Sequence, residues 1–168
     1  MKKSIIALIL AFTFALGLAS CASSGDHDTN TTEPSTEPKN YPAVATFFED
    51  TTADYEMPMM MDLDDDLLQD MYGIDPALLD EYVAKIPGMN VHATEFFVAK
   101  VKDGNMDAVK NGIESRLNAL DQTWSQYLPD QYELVQNAKT VEEGNYILFV
   151  VSENADAVAS AFSTTYGK

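Results

Sequence analysis

Apolar residues recur along this chain in two periods, and the two periods divide it into helices and strands. Past Tyr41-Pro42, the positions Val44, Phe47 and Phe48 share one helical face and the pattern fades by Thr51-Thr52, which predicts a short amphipathic helix. A methionine-rich passage follows. Asp62 to Asp66 then place carboxylates where a helix start leaves its backbone N–H groups unpaired; Leu67, Leu68 and Met71 form the inner stripe of this second helix and Gly73 ends it. Asp75-Pro76 reads as a cap followed by proline at the first helical position, so a third helix is expected to carry Leu78, Leu79, Tyr82, Val83 and Ile86 until Pro87-Gly88 stops it.

From Val91 to Val101 the chain is β-branched and aromatic, which predicts a strand, and Asp103-Gly104-Asn105 turns it. The clearest helix comes next. Met106, Val109, Ile113, Leu117, Leu120, Trp124 and Leu128 return at spacings of three and four, with Lys, Glu, Arg and Asp on the opposite face, and Pro129 closes the run. After a helical turn at Tyr132 to Val135, Lys139 to Val141 and Tyr146 to Ser152 flank Glu142-Glu143-Gly144-Asn145, a hairpin signal. Tyr146 to Val151 has no polar face, so this strand is expected to be central and covered on both sides. A last helix spans Ala155 to Tyr166, with Asn154 as its cap. Strand, long helix, hairpin and helix in that order predict an α+β fold: a small three-stranded antiparallel sheet of the split β-α-β type, its last strand in the middle, packed with helices and preceded by short N-terminal ones.

The N-terminus changes the picture by giving the domain an address. Lys2 and Lys3 precede an apolar stretch from Ile5 to Leu18, and Leu18-Ala19-Ser20-Cys21 closes it as a lipobox, in which the cysteine takes a diacylglycerol before cleavage. Roughly sixteen apolar or small residues fall short of the ~20 that span a bilayer, which favours a signal peptide over residues 1–20. Residues 21–40 then form a lipidated cysteine and a tether, with almost nothing apolar and with Glu-Pro steps at 33–34 and 37–38. As a flexible coil the tether spans on the order of 25 Å. Residues 41–168 remain as a single domain, enough chain to bury about two-thirds of its surface. The protein is expected to be extracytoplasmic and held to the cell membrane through the lipid on Cys21.

Charge and composition narrow the partners. The formal charge is −17, and losing Lys2 and Lys3 takes it to −19. Lys100, Lys102, Lys110 and Arg116 are scattered among acids, so nucleic acid is excluded as a partner and the bilayer is met through lipid alone. Cys21 is the only cysteine, which leaves no thiol for disulfides or redox chemistry.

Few residues suggest chemistry. His92 is the only histidine beyond the tether, and Thr94 and Glu95 are its only near neighbours with a catalytic side chain. Asp62-x-Asp64-x-Asp66 begins like a calcium loop, but Leu67 stands where the turn glycine is required and Gly73 where the bidentate glutamate is, so helix capping is the better account. Met57, Met59, Met60 and Met61 have thioethers suited to copper(I) but no histidine or cysteine beside them, which favours packing or partner contact. Trp124, Tyr127 and Tyr132 gather near the end of the long helix. The candidate binding residues are therefore His92, Glu95, Trp124 and Tyr127, with no metal site and no cofactor implied.

Four short runs carry a family resemblance: Tyr72-Gly73-Ile74, Met89 to Glu95, Tyr127 to Tyr132, and Gly144-Asn145-Tyr146. Together with the lipobox they resemble the bacterial lipoproteins grouped as domain of unknown function 4358, over essentially all of residues 41–168. The resemblance implies a Gram-positive, clostridia-like source and an anchor in the outer leaflet of the cytoplasmic membrane, and it implies no activity. The expected function is that of a non-catalytic binding or accessory module with an envelope protein as partner. A carboxylate-dependent extracellular hydrolase and a small solute- or cation-binding receptor are the alternatives. Cys21→Ser is expected to shift the protein from membranes to the medium or to leave it unprocessed, read by fractionation and the mass of the mature chain; an unchanged membrane-bound mature form would refute the anchor. Two acyl chains hold stably where one binds only marginally.

Overall fold

In a computed structural model the described residues are 40–167. The expected signal segment, Cys21 and the expected tether, through residue 39, lie outside them, as does Lys168. Helix α1 (Val44–Thr52) leads to strand β1 (Met60–Asp62), helix α2 (Asp65–Tyr72) and a 3-10 turn at Pro76–Leu78. Strands β2 (Leu79–Pro87) and β3 (Glu95–Val101), helices α3 (Met106–Trp124) and α4 (Pro129–Gln136), the β4 (Lys139–Glu143) and β5 (Tyr146–Val151) hairpin and helix α5 (Ala155–Tyr166) complete the order.

The sheet has five antiparallel strands in the order β1-β2-β3-β5-β4, and this overturns the three-stranded sheet expected from the sequence. The two added strands are β1 and β2. The stretch expected to be a third helix is strand β2, and a bulge explains the misreading: Leu79 pairs with Val101 but Glu81 pairs with Lys100, so Asp80 is an extra residue. The bulge shifts the alternation by one, so that Leu79, Tyr82, Ala84 and Ile86 all face the same core. Leu79, Tyr82 and Ile86, three and then four residues apart, thereby imitate a helix. The Met-rich passage contributes β1, a three-residue edge strand whose Met60, Met61 and Asp62 pair with Pro87, Ile86 and Lys85.

Other boundaries move for local reasons. Val91 to Thr94 are loop and β3 begins at Glu95. The long helix ends at Trp124, about one turn before Pro129, and Pro129 opens α4 at its first position instead of closing α3. Asp64 caps α2 by accepting from the Leu67 N–H at 2.9 Å, and Gly73 ends it at φ 69°, a left-handed position that suits glycine. Leu67 is exposed, however, and Tyr72 takes its place beside Leu68 on the inner face. Asn154 makes no side-chain cap; the Ser152 hydroxyl accepts from its backbone N–H instead.

Both faces of the sheet are covered. Phe97, Ala99 and Val101 of β3 and Ile147, Phe149 and Val151 of β5 pack with α2, α3 and α4, whereas Phe96, Val98, Leu148 and Val150 point the other way, toward α1 and α5. Every residue of β5 is buried, as a strand between two helical layers requires. On the α1–α5 side, aromatic rings lock together edge to face, with Phe47 against Phe162 at 5.6 Å and Phe48 against Phe96 at 5.4 Å.

On the other side α3 lies against the chain leaving α2 at one glycine. A Cβ on Gly112 would stand 2.4 Å from Ile74 Cγ1 and 2.9 Å from the Tyr72 carbonyl oxygen. In an open helix Gly→Ala gains roughly 1 kcal/mol. Here Gly112→Ala is expected to destabilise, lowering the melting temperature by several degrees while Asn118→Ala, on the exposed face of the same helix, leaves it nearly unchanged. Thermal denaturation of the two variants checks this; equal melting temperatures would refute the close approach.

Candidate functional site

The close approach at Gly112 brings three polar side chains together under the sheet's α3 face. Glu95, the first residue of β3, has the same strand parity as Phe97 and so points into the core rather than to solvent; it is 2% exposed. Arg116 stands one turn beyond Gly112 on the same face of α3, and Tyr72 is the last residue of α2. Glu95 Oε2 accepts from the Tyr72 hydroxyl at 3.0 Å and from Arg116 Nε at 3.0 Å, while Oε1 accepts from Arg116 Nη2. The guanidinium also lies over the Tyr72 ring, with Cζ 5.7 Å from its centroid, and that ring stacks on Phe97.

The electrostatics follow from burial and pairing. Burial and the neighbouring Glu95 charge push the Tyr72 phenol well above its ordinary 10.0, so it keeps its proton. Burial works to lower the Arg116 pKa, but the hydrogen bonds and charge of Glu95 outweigh it and the net shift is upward. Both oxygens of Glu95 are thus occupied and its partner is permanently charged. With Oε2 accepting twice and Oε1 once, the carboxylate is engaged on both oxygens in holding Arg116 and Tyr72 in place.

Glu95 and Arg116 form part of the wall of a cleft of about 350 Å³. Ile86, Pro87 and Met89 line one side, Leu120 and Trp124 the other, and His92 stands among them. The loop holding His92 is fixed by α4, because the Ala93 N–H donates to Gln131 Oε1 at 2.9 Å. Three of the four sequence runs that carry the family resemblance therefore meet here: Tyr72 at Glu95, the Met89 to Glu95 run itself, and Gln131 at Ala93. The fourth, at Gly144, makes the β4–β5 turn, where φ is 61°.

Of the residues expected from the sequence, His92, Glu95 and Trp124 line this one cleft, and Tyr127, itself exposed, packs against Trp124 with ring centroids 5.8 Å apart. Tyr132 turns away to donate to Asp121 at 2.9 Å. His92 lies in the loop before β3 rather than on the strand, and its imidazole has no protein partner among the described residues. It also borders a smaller hollow with Thr94, Ser152, Glu56 and Glu153, yet no hydrogen bond links it to a hydroxyl or carboxylate there. Nucleophile and base are not paired.

Arg116 was missed, having been assigned to the polar face of the long helix. It is the only arginine of the sequence and falls three residues after Ile113 and four before Leu120. That spacing puts it on the inner stripe.

The acidic and methionine-rich segments are occupied differently. Asp62 pairs with Lys85, Asp64 caps α2, and Asp65 accepts from the Tyr82 hydroxyl at 2.6 Å. Asp65, Asp66, Asp75, Asp80 and Glu81 border an open basin of about 830 Å³, where Asp75 caps the 3-10 turn and Glu81 accepts from the Val44 N–H. Among the described residues no group of three or more His, Cys, Asp or Glu side chains is arranged to hold a metal ion. Met57 and Met60 pack against the α1–α5 core, whereas Met59 and Met61 are exposed.

Arg116→Met is expected to leave Glu95 buried without its cation, a loss of about 3–5 kcal/mol, read as a fall in melting temperature on the order of 10 °C. Adding Glu95→Gln should recover part of it. A double variant no more stable than Arg116→Met would deny the coupling. The raised Tyr72 pKa sets a second expectation. The unfolded phenol ionises near 10.0 and the folded one well above, so this contribution is complete below pH 10 and is lost as pH climbs through the folded value. Tyr72→Phe should therefore shallow the alkaline decline in stability measured by denaturant titration from pH 9 upward.

No helix among the described residues is long and apolar enough to cross a membrane. Comparison with curated proteins finds no match, and neither does comparison with solved structures. One family profile matches, over residues 53–152, a span that contains the whole cleft and the β4–β5 hairpin but omits α1 and α5. On that match the chain belongs to the family described as domain of unknown function (DUF4358).

Proposed function

We propose that this domain is a non-catalytic binding or accessory module of the cell envelope, held outside the membrane by a lipid on Cys21 and using the cleft between the β2–β3 loop and α3 as its recognition site. The observation that carries this reading is the state of Glu95: it is the cleft's only carboxylate, and both its oxygens are bound to Arg116 and Tyr72. A catalytic carboxylate must exchange protons or attack; this one is fixed. The imidazole of His92 is hydrogen-bonded to none of the hydroxyls near it, Thr94, Thr123 or Ser152, so base and nucleophile are not paired. Apolar walls with a few oriented polar groups are the general form of a ligand site.

The test is a panel assay for esterase, glycosidase, peptidase and phosphatase turnover with purified wild type and His92→Asn. No turnover by either protein is expected. Turnover by wild type that disappears in a folded His92→Asn variant would overturn the reading and make Thr94 and Ser152 the first nucleophiles to examine.

A further inference from the structure

The rim of the cleft says what it takes up. Six large apolar side chains are exposed among the described residues, namely Met59, Met61, Leu67, Met89, Val91 and Tyr127. Five of them gather at the cleft. Met89 lines it; Val91 stands between the lining residues Asn90 and His92; Tyr127 packs on Trp124; and Met59 and Met61 lie over Gly88, where an added Cβ would come within 3.4 Å of Met59 Cε and 3.6 Å of Met61 Cγ. Only Leu67, on α2, lies elsewhere. Exposed apolar groups scattered singly need no explanation, but a gathering of them around a concavity marks a contact surface. Three of the five are methionines, whose unbranched thioethers adapt to partners of varied shape.

The floor specifies the polar part of the ligand. Arg116 spends Nε and Nη2 on Glu95, and its remaining nitrogen, Nη1, has no protein acceptor among the described residues. No buried side-chain nitrogen is left unpaired among the described residues, so Nη1 keeps contact with solvent, and Arg116 is one of the residues that line the cleft. The cleft thus offers donors at Arg116, His92 and Asn90, while its one carboxylate is occupied. Glu95 already balances the arginine's charge. A free carboxylate on the ligand would be desolvated against a neutral pair, whereas an amide carbonyl supplies the acceptor at lower cost.

We infer that the cleft binds an uncharged, apolar peptide segment of a partner protein, its side chains against the Met59–Met61–Met89 rim and Trp124 wall and a backbone carbonyl on Arg116 Nη1. This rests on the cleft being the recognition site proposed above. The acidity of the chain at −17 disfavours acidic segments, and no carboxylate in the cleft is free to pair with a basic one.

The probe is an array of acetylated, amidated octapeptides in three sets: apolar, the same sequences with two aspartates, and the same with two lysines. Binding is read on the full chain held in phosphatidylcholine bilayer discs. The apolar set is expected to bind best. Met89→Asp should weaken that binding by tenfold or more, Arg116→Lys should weaken it comparably with the fold retained by circular dichroism, and Leu67→Asp should leave it unchanged. If a charged set binds best and loses affinity in Met89→Asp, the ligand class is wrong and the cleft reading stands. If peptides bind but Met89→Asp and Leu67→Asp behave alike, the cleft itself is wrong. Absence of binding by all three sets would overturn the peptide inference and leave the non-catalytic module to another ligand.

Discussion

Placing one carboxylate inside the core of this domain obliges its neighbours to come to it. A buried, unpaired Glu95 would cost several kcal/mol, so the fold holds only if a cation and a further donor reach it. Arg116 must therefore lie on the inner face of α3, and the last residue of α2 must be a tyrosine turned inward. Both requirements depend on how closely α3 can approach the chain leaving α2. Gly112 sets that distance, because a side chain there would strike the carbonyl of Tyr72, the residue that has to be placed. The rotation of α3, the ending of α2 and the parity of β3 are consequently one constraint seen from three elements.

Much of this fold is legible in the sequence where period and burial agree. Helix α5 and strand β5 can be read because every turn of one and every residue of the other follows a single environment. Strand β2 cannot be read that way. Its bulge at Asp80 breaks the alternation that would have identified it, and the apolar spacing left behind satisfies a helix equally well. Pairing with β3 decides the matter, and pairing is a long-range fact that no local pattern contains. Strand β1 is hidden differently: three residues among methionines have no period, and only the edge offered by β2 makes them a strand.

The site was legible in part, for a related reason. His92, Glu95 and Trp124 stand out because each residue type is unusual at its position, and the fold brings them to one cleft. Arg116 did not stand out, since a lone arginine on an amphipathic helix is ordinarily solvated. Its inward spacing was visible, but a charge on the inner stripe gains meaning only once its countercharge is known to be buried. Glu95 in turn looks like a strand residue facing water until β3 is seen to be covered on both sides. Each half of the pair is uninformative without the other.

A buried ion pair is a weak source of stability, since apolar side chains of similar volume often do as well or better at such a position. The fold alone therefore does not explain why Glu95, Arg116 and Tyr72 occupy the space that a leucine and a phenylalanine could fill. What the trio provides, and an apolar floor could not, is a fixed guanidinium in the wall of the cleft whose charge Glu95 balances. Oriented donors beneath an adaptable methionine rim suit recognition, where the polar group sets position and the apolar rim supplies area. Catalysis asks the reverse of a carboxylate. It needs one with an oxygen free to meet the substrate, whereas Glu95 has both oxygens engaged by Arg116 and Tyr72.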